Sequence, residues 1–294
     1  MRIGLRNLIL AAAAVVVLAA AGAALFVHLG IYDVAATRQH TRPVFDLLEY
    51  AQRRAVSRRA GPAPDLADSR RVQAGARIYS RHCLQCHGAP GIAPDALAYG
   101  MTPEPANLVA TAREWPAGEI YWVVRHGIKM TGMPAWNRHL SDEEMWDVVA
   151  FVMALPQMSP SEYATFDPQA RERNAAPAEA APQPPPMAAA PDRVTPAAIG
   201  DIEAGRRAID GYLCATCHVI PGVVGAQRAV GPPLAGIAGR RYIAGIAVNT
   251  PENMIRWLRD PQRMDPLSAM PNLGVSEQDA RDIAAYLYTL EDPE

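Results

Sequence analysis

Lysine is almost missing from this 294-residue sequence, with Lys129 alone against 27 arginines, and cysteine and phenylalanine occur only four times each. Four cysteines are too few for the dense disulfide framework of a small secreted scaffold. A net charge of -2 gives no overall electrostatic reason to bind nucleic acid, so no nucleic-acid partner is expected. Strand-type alternation of apolar and polar residues is not evident, which argues against a sheet-based core. With half of its residues hydrophobic, the chain has the composition of a globular protein, and its length allows two modest domains plus extra segments.

What is present begins with one long apolar run. Leu8 to Val27 are 20 consecutive residues without a charge or strong polar group. As a helix rising 1.5 Å per residue they would reach about 30 Å, the thickness of a hydrocarbon core. A transmembrane anchor over residues 1–29 is the expectation. The rival is a cleaved export signal, because Ala19 to Ala23 offer small-residue cleavage sites. Either reading carries the remainder across the membrane. Arg2 and Arg6 on one side and Arg38 and Arg42 on the other leave the charge rule nearly balanced.

Residues 30–71 hold eight arginines against five acidic residues, the one strongly basic stretch beyond the anchor. Thr41 and Pro43 suit a helix start, and Val44, Leu47, Leu48 and Ala51 would form one apolar stripe. Such a helix either lies on anionic headgroups or a membrane partner, or packs on its own domain. Further on, residues 167–198 form a linker whose tract Ala175 to Pro196 is dominated by alanine and proline. At about 3.1 Å per residue, its roughly 25 extended residues could separate two domains by up to ~75 Å, and independent motion is expected.

The flanking segments, 72–166 and 199–294, are two copies of one pattern. In the first, Gly75 and Tyr79 precede Cys83, and Pro116, Trp122 and Met133-Pro134 follow; Ser141 then stands ten residues before Phe151. In the second, Gly205 precedes Cys214, Pro251 and Trp257 keep the six-residue spacing, Met270-Pro271 follows, and Ser276 stands ten residues before Tyr286. Ser141 with Glu144 signals a helix start, with Met145, Val148, Val149 and Val152 on one face. The equivalent helix after Ser276 has Ile283, Tyr286, Leu287 and Leu290 as its inner side. Domains of about 95 residues have limited cores, so a bound cofactor would supply interior.

The cysteines fall in two identical patterns, Cys83-Leu84-Gln85-Cys86-His87 and Cys214-Ala215-Thr216-Cys217-His218. This is the attachment pattern for haem c, in which two thiols bond to the porphyrin and the adjacent imidazole ligates iron. A thioredoxin-like redox pair needs no following histidine, and a zinc knuckle explains neither the methionine loops nor the separation of the pairs.

On these residues both repeats resemble the class I c-type cytochromes. The resemblance implies an all-α fold: two tandem cytochrome c-like domains joined by a Pro/Ala-rich linker and preceded by one N-terminal transmembrane helix. It pairs Gly75 with Phe151 and Gly205 with Tyr286 at a close crossing of the first and last helices. It also implies two covalently attached haem c groups, with His87 and His218 as one axial ligand each. Gly231-Pro232-Pro233 resembles the family segment whose proline carbonyl holds the haem histidine; in the first repeat Thr102-Pro103-Glu104-Pro105 is the nearest stand-in, and the carbonyl that orients His87 stays open. The resemblance points to Met133 and Met270 as sixth ligands, and proline after each stops a helix so that the loop can cross the porphyrin. Met130 competes with Met133. His28, His40, His82, His126 and His139 are left without a role.

His/Met coordination fills both axial positions, which suits electron transfer rather than catalysis. The expectation is therefore a carrier or electron-transfer subunit with no catalytic residues. It would be anchored in a bacterial cytoplasmic membrane with its haem domains in the periplasm. Its partners would be redox proteins of the respiratory chain, either a quinol-oxidising complex or dehydrogenase as donor or a terminal oxidase as acceptor. A dihaem peroxidase is the alternative, but it needs an open iron, against which a Met-Pro loop in each repeat argues.

Overall fold

The structure is a computed structural model that describes residues 4–167 and 195–291. The chain divides into two compact units, residues 1–38 and residues 39–294. In the first unit, α1 (Leu5–His28) has no buried residue and a mean hydropathy of 2.7 over its most apolar window. Its 24 residues are long and apolar enough to cross a membrane.

The second unit opens with α2 (Arg42–Ser57), followed by the first repeat: α3 (Ser69–His82), α4 (Leu84–His87), α5 (Leu108–Glu114), α6 (Ala117–His126), α7 (Asp142–Ala154) and α8 (Pro160–Phe166). The second repeat comprises α9 (Ile202–Gly211), α10 (Pro251–Arg259), α11 (Pro261–Met264) and α12 (Glu277–Leu287). A short hairpin of two-residue strands, β1 (Tyr242–Ile243) and β2 (Ala247–Val248), pairs Tyr242 with Val248 and forms the one sheet among the described residues. Most of the Ala/Pro linker lies outside the described residues.

Each repeat is built on a crossing of its first helix with the helix that follows its Met-Pro loop, α7 in the first repeat and α12 in the second. α3 meets α7 at Gly75, where a Cβ would stand 1.9 Å from the Asp147 carbonyl oxygen and 3.0 Å from Phe151 Cβ. α9 meets α12 at Gly205, where a Cβ would stand 1.9 Å from the Asp282 carbonyl oxygen. Backbone contact at both points leaves room for hydrogen alone. In both copies the closest approach lies one turn before the aromatic, at Asp147 before Phe151 and at Asp282 before Tyr286. Both α7 and α12 start as the sequence signals: Ser141 and Glu144 form a reciprocal capping box, and the Ser276 hydroxyl accepts from Asp279 N. Met145, Val148, Val149 and Val152 are buried in the first core and Ile283, Tyr286, Leu287 and Leu290 in the second.

The aromatic pair at the crossing has changed hands between the copies. In the first repeat Tyr79 on α3 donates its hydroxyl to the Gly88 carbonyl at 2.6 Å, and its ring lies 5.1 Å from Phe151 on α7. In the second repeat Ile209 occupies the position four residues after Gly205, and Tyr286 on α12 donates to the Pro221 carbonyl at 2.6 Å. Each copy therefore clasps the loop after its Cys-x-x-Cys-His segment with one buried tyrosine hydroxyl, contributed from opposite helices.

The repeats dock on each other rather than standing apart, contrary to the independent motion expected from linker length. Gly91 N donates to the Ala269 carbonyl at 3.2 Å, and Gln262 Nε2 donates to the Gly91 carbonyl at 2.7 Å. Arg228 of the second repeat pairs with Glu114 of the first and with Glu49 of α2. α2 braces this junction with an unexpected face. Phe45, Glu49, Gln52, Arg53 and Val56 turn inward; Phe45 sits against Gly225, and the Arg53 guanidinium lies 3.9 Å from the centre of the Trp115 ring. The stripe of Leu47, Leu48 and Ala51 faces outward, and Val44 at its margin is half-buried.

Candidate functional site

Residues at i, i+3 and i+4 share one side of a helical turn, and both cysteine motifs are folded as such a turn. His87 N donates to the Cys83 carbonyl at 3.0 Å, and His218 N donates to the Cys214 carbonyl at 3.0 Å. Both thiols and the imidazole of each motif are thereby gathered together. All four cysteines are free and partly buried. Burial pushes the Cys83 and Cys214 thiols up to about 12, and it raises Cys86 and Cys217 as well. Redox-active dithiols need a lowered thiol, so these surroundings are wrong for a thioredoxin-like pair.

Each imidazole is tethered from behind. His87 Nδ1 lies 2.7 Å from the Ala106 carbonyl oxygen, and His218 Nδ1 lies 2.8 Å from that of Pro232. A carbonyl can only accept, so the proton sits on Nδ1 and the Nε2 lone pair is left free. Burial lowers both histidines below the ordinary imidazole range, which keeps the rings neutral at neutral pH. The Pro232 acceptor is the one the sequence indicates. In the first repeat the acceptor is Ala106, just past the Thr102–Pro105 stretch named as its stand-in. Gly231 completes the second site: a Cβ there would stand 2.4 Å from His218 Cε1.

The two methionine loops are built alike. Met133 and Met270 are half-buried and pack against the first and second cores respectively. Met133 N donates to the Thr131 hydroxyl at 3.1 Å and Met270 N to the Ser268 hydroxyl at 3.2 Å. Sequence reading passed over Thr131 and Ser268, although the shared spelling Thr-Gly-Met-Pro and Ser-Ala-Met-Pro carries the signal. Met130, the competitor, is 98 % exposed with a left-handed backbone, pointing away from the core. His82 and His126 rest against Trp136 and Trp122 at ring separations of 5.2 and 4.9 Å.

Residues 70–152 match the family described as cytochrome c oxidase, cbb3-type, subunit III, and residues 202–291 match the family described as cytochrome c. The chain belongs to the c-type cytochromes. It carries two cytochrome c domains in tandem, which imply haem c as cofactor and electron transfer in a respiratory setting. Among curated proteins this cytochrome is similar to cytochrome c oxidase subunit 2 of Alkalihalophilus pseudofirmus, 34 % identical over 88 residues. That match covers 30 % of the chain and a quarter of the relative. No solved structure matches it.

The donors present fit haem c. Each repeat offers paired thiols and a neutral imidazole whose Nδ1 is occupied on one turn, and a half-buried thioether that packs on the same apolar core as the first cysteine of the motif. Soft sulfur and neutral nitrogen are the ligand types that haem iron takes in electron-transfer cytochromes.

Proposed function

We propose that this cytochrome is a dihaem electron carrier, holding one haem c covalently through Cys83 and Cys86 and a second through Cys214 and Cys217. When bound, the haem supplies an iron that gains and loses one electron. His87 and Met133 would hold the iron in the first repeat, and His218 and Met270 in the second. The tethers on Ala106 and Pro232 hold each imidazole in one tautomer, aim Nε2 and raise its basicity. A thioether from each Met-Pro loop would take up a position on the iron that a peroxidase needs open, which favours a carrier over a peroxidase. Recurrence supports the reading: two repeats of divergent sequence keep the same turn, the same Nδ1 tether and the same hydroxyl-braced methionine loop.

The length and hydropathy of α1 support membrane attachment, and the compartment in which haem c is attached supports placing both haem domains in the bacterial periplasm. One of the two matched families and the curated relative are named for oxidases, which favours delivery of electrons to a terminal oxidase from a quinol-oxidising complex or dehydrogenase. Both haem domains carry more acidic than basic residues, so a partner with a basic docking face is complementary.

The test is expression in a host that matures c-type cytochromes. Intact mass and a pyridine haemochrome assay should give two covalent haems per chain, with low-spin spectra in both oxidation states. One haem per chain, or a high-spin haem that turns over peroxide, would overturn the proposal.

A further inference from the structure

α2 is turned inside out for a soluble helix. Its buried side is polar in part, with Glu49 paired to Arg228 at 2.8 Å and Arg53 paired to Glu119 at 3.6 Å. Its outward side carries Leu47, 65 % exposed, Leu48, 51 % exposed, and Tyr50, 65 % exposed, with Ala51 and Ala55 between them. Arg54 and Arg58 project from the same side, and among the described residues neither has an ion-pair partner. No carboxylate shares this face. Asp46 stands at its edge, held by Arg42 at 2.9 Å, and Glu49 points the other way.

An apolar stripe that runs into arginines at its C-terminal end and is free of acids is poorly matched to water and well matched to an anionic bilayer surface. The leucines would enter the boundary between headgroups and acyl chains, the tyrosine ring would sit at headgroup level, and the arginines would reach phosphates. The chain also delivers the helix there. Residues 29–41 separate α1 from α2, and at full extension these thirteen residues reach only about 45 Å. We infer that the outward face of α2 is a seat on the anionic membrane surface that holds the haem unit against the bilayer. The inference rests on α1 being the membrane anchor, and it commits to lipid rather than a protein partner.

The experiment uses the full-length holoprotein in nanodiscs containing one-third phosphatidylglycerol, with a benzophenone amino acid in place of Leu47 or, separately, of the inward-facing Gln52. Irradiation should give lipid adducts from position 47 and adducts within the chain from position 52. The double substitution Arg54→Glu and Arg58→Glu should lower the lipid-adduct yield at least about fivefold, with the haem spectrum unchanged. Protein cross-links, or no lipid adduct, from position 47 in nanodisc-bound protein would overturn the inference. Failure of the anchor reading would look different, because the holoprotein would then stay outside the nanodiscs altogether.

Discussion

The side-chain amide of Asn107 donates to Sγ of Cys217 at 3.2 Å, from one cytochrome domain into the cysteine motif of the other. Asn107 directly follows Ala106, whose carbonyl tethers His87. A short covalent and hydrogen-bonded path therefore joins the two sites: imidazole, carbonyl, one residue, sulfur. In the holoprotein that sulfur would be joined to the porphyrin and not to the iron, so a hydrogen bond on it would draw electron density from the ring and raise the potential modestly. Asn107→Leu should lower the potential of the second haem by on the order of 20 mV, taking about half the ~1 kcal/mol of a neutral hydrogen bond at 59 mV per tenfold. The first potential should hold. Spectroelectrochemical titration reads both, and an unmoved second potential would show that the contact is electronically idle.

Met133→Ala and Met270→Ala should each convert one haem of two to high spin, whereas Met130→Ala should leave the spectrum as it is. The contrast follows from the half-buried, hydroxyl-braced loops of the first two and the solvent-facing side chain of the third. Visible and resonance Raman spectra of the three variants check it.

Glu104 lies in the first repeat, and burial, with a smaller contribution from nearby Asp210 of the second, pushes its carboxyl up to about 8. A carboxyl raised in the folded state keeps a proton that the unfolded chain has lost above about pH 4.5. Stability should therefore fall as pH rises from about 4.5 through 8, and Glu104→Gln should flatten that slope. Urea midpoints at pH 6 and pH 9 measure it; a wild-type midpoint that does not drop, or an unchanged slope in the variant, contradicts the assignment.

Gly75→Ala and Gly205→Ala should each cost more than about 3 kcal/mol or prevent maturation, since the added methyl meets backbone at 1.9 Å. Gly211→Ala, at the end of α9 with nothing within 4 Å of the new carbon, should be neutral or stabilising by up to about 1 kcal/mol. Denaturation midpoints of the holoproteins compare the three.

Residue-type signals read well here. Ser141, Ser276, the two glycines and the Met-Pro pairs were legible because each needs a particular side chain, or its absence, at a fixed spacing. Ala106 was not, because every residue offers a carbonyl and only the path of the loop selects one. The orientation of α2 was hidden for a different reason. Its apolar stripe suited a membrane surface or a core alike, and the choice rests on Arg228, roughly 180 residues away, which claims Glu49 and turns the opposite face inward. Linker composition likewise told of reach and nothing of whether the ends dock.

The tyrosine hydroxyl that clasps each motif loop comes from the first helix in one copy and from the last helix in the other. Duplicated modules with such an exchange have ceased to be interchangeable piece by piece. Grafting α12 in place of α7 would crowd two phenols toward one carbonyl region, and the reciprocal graft would leave that region with none. Each copy has thus become committed to its own pair of helices, and recombination between the halves of this gene is tolerated only when both helices travel together.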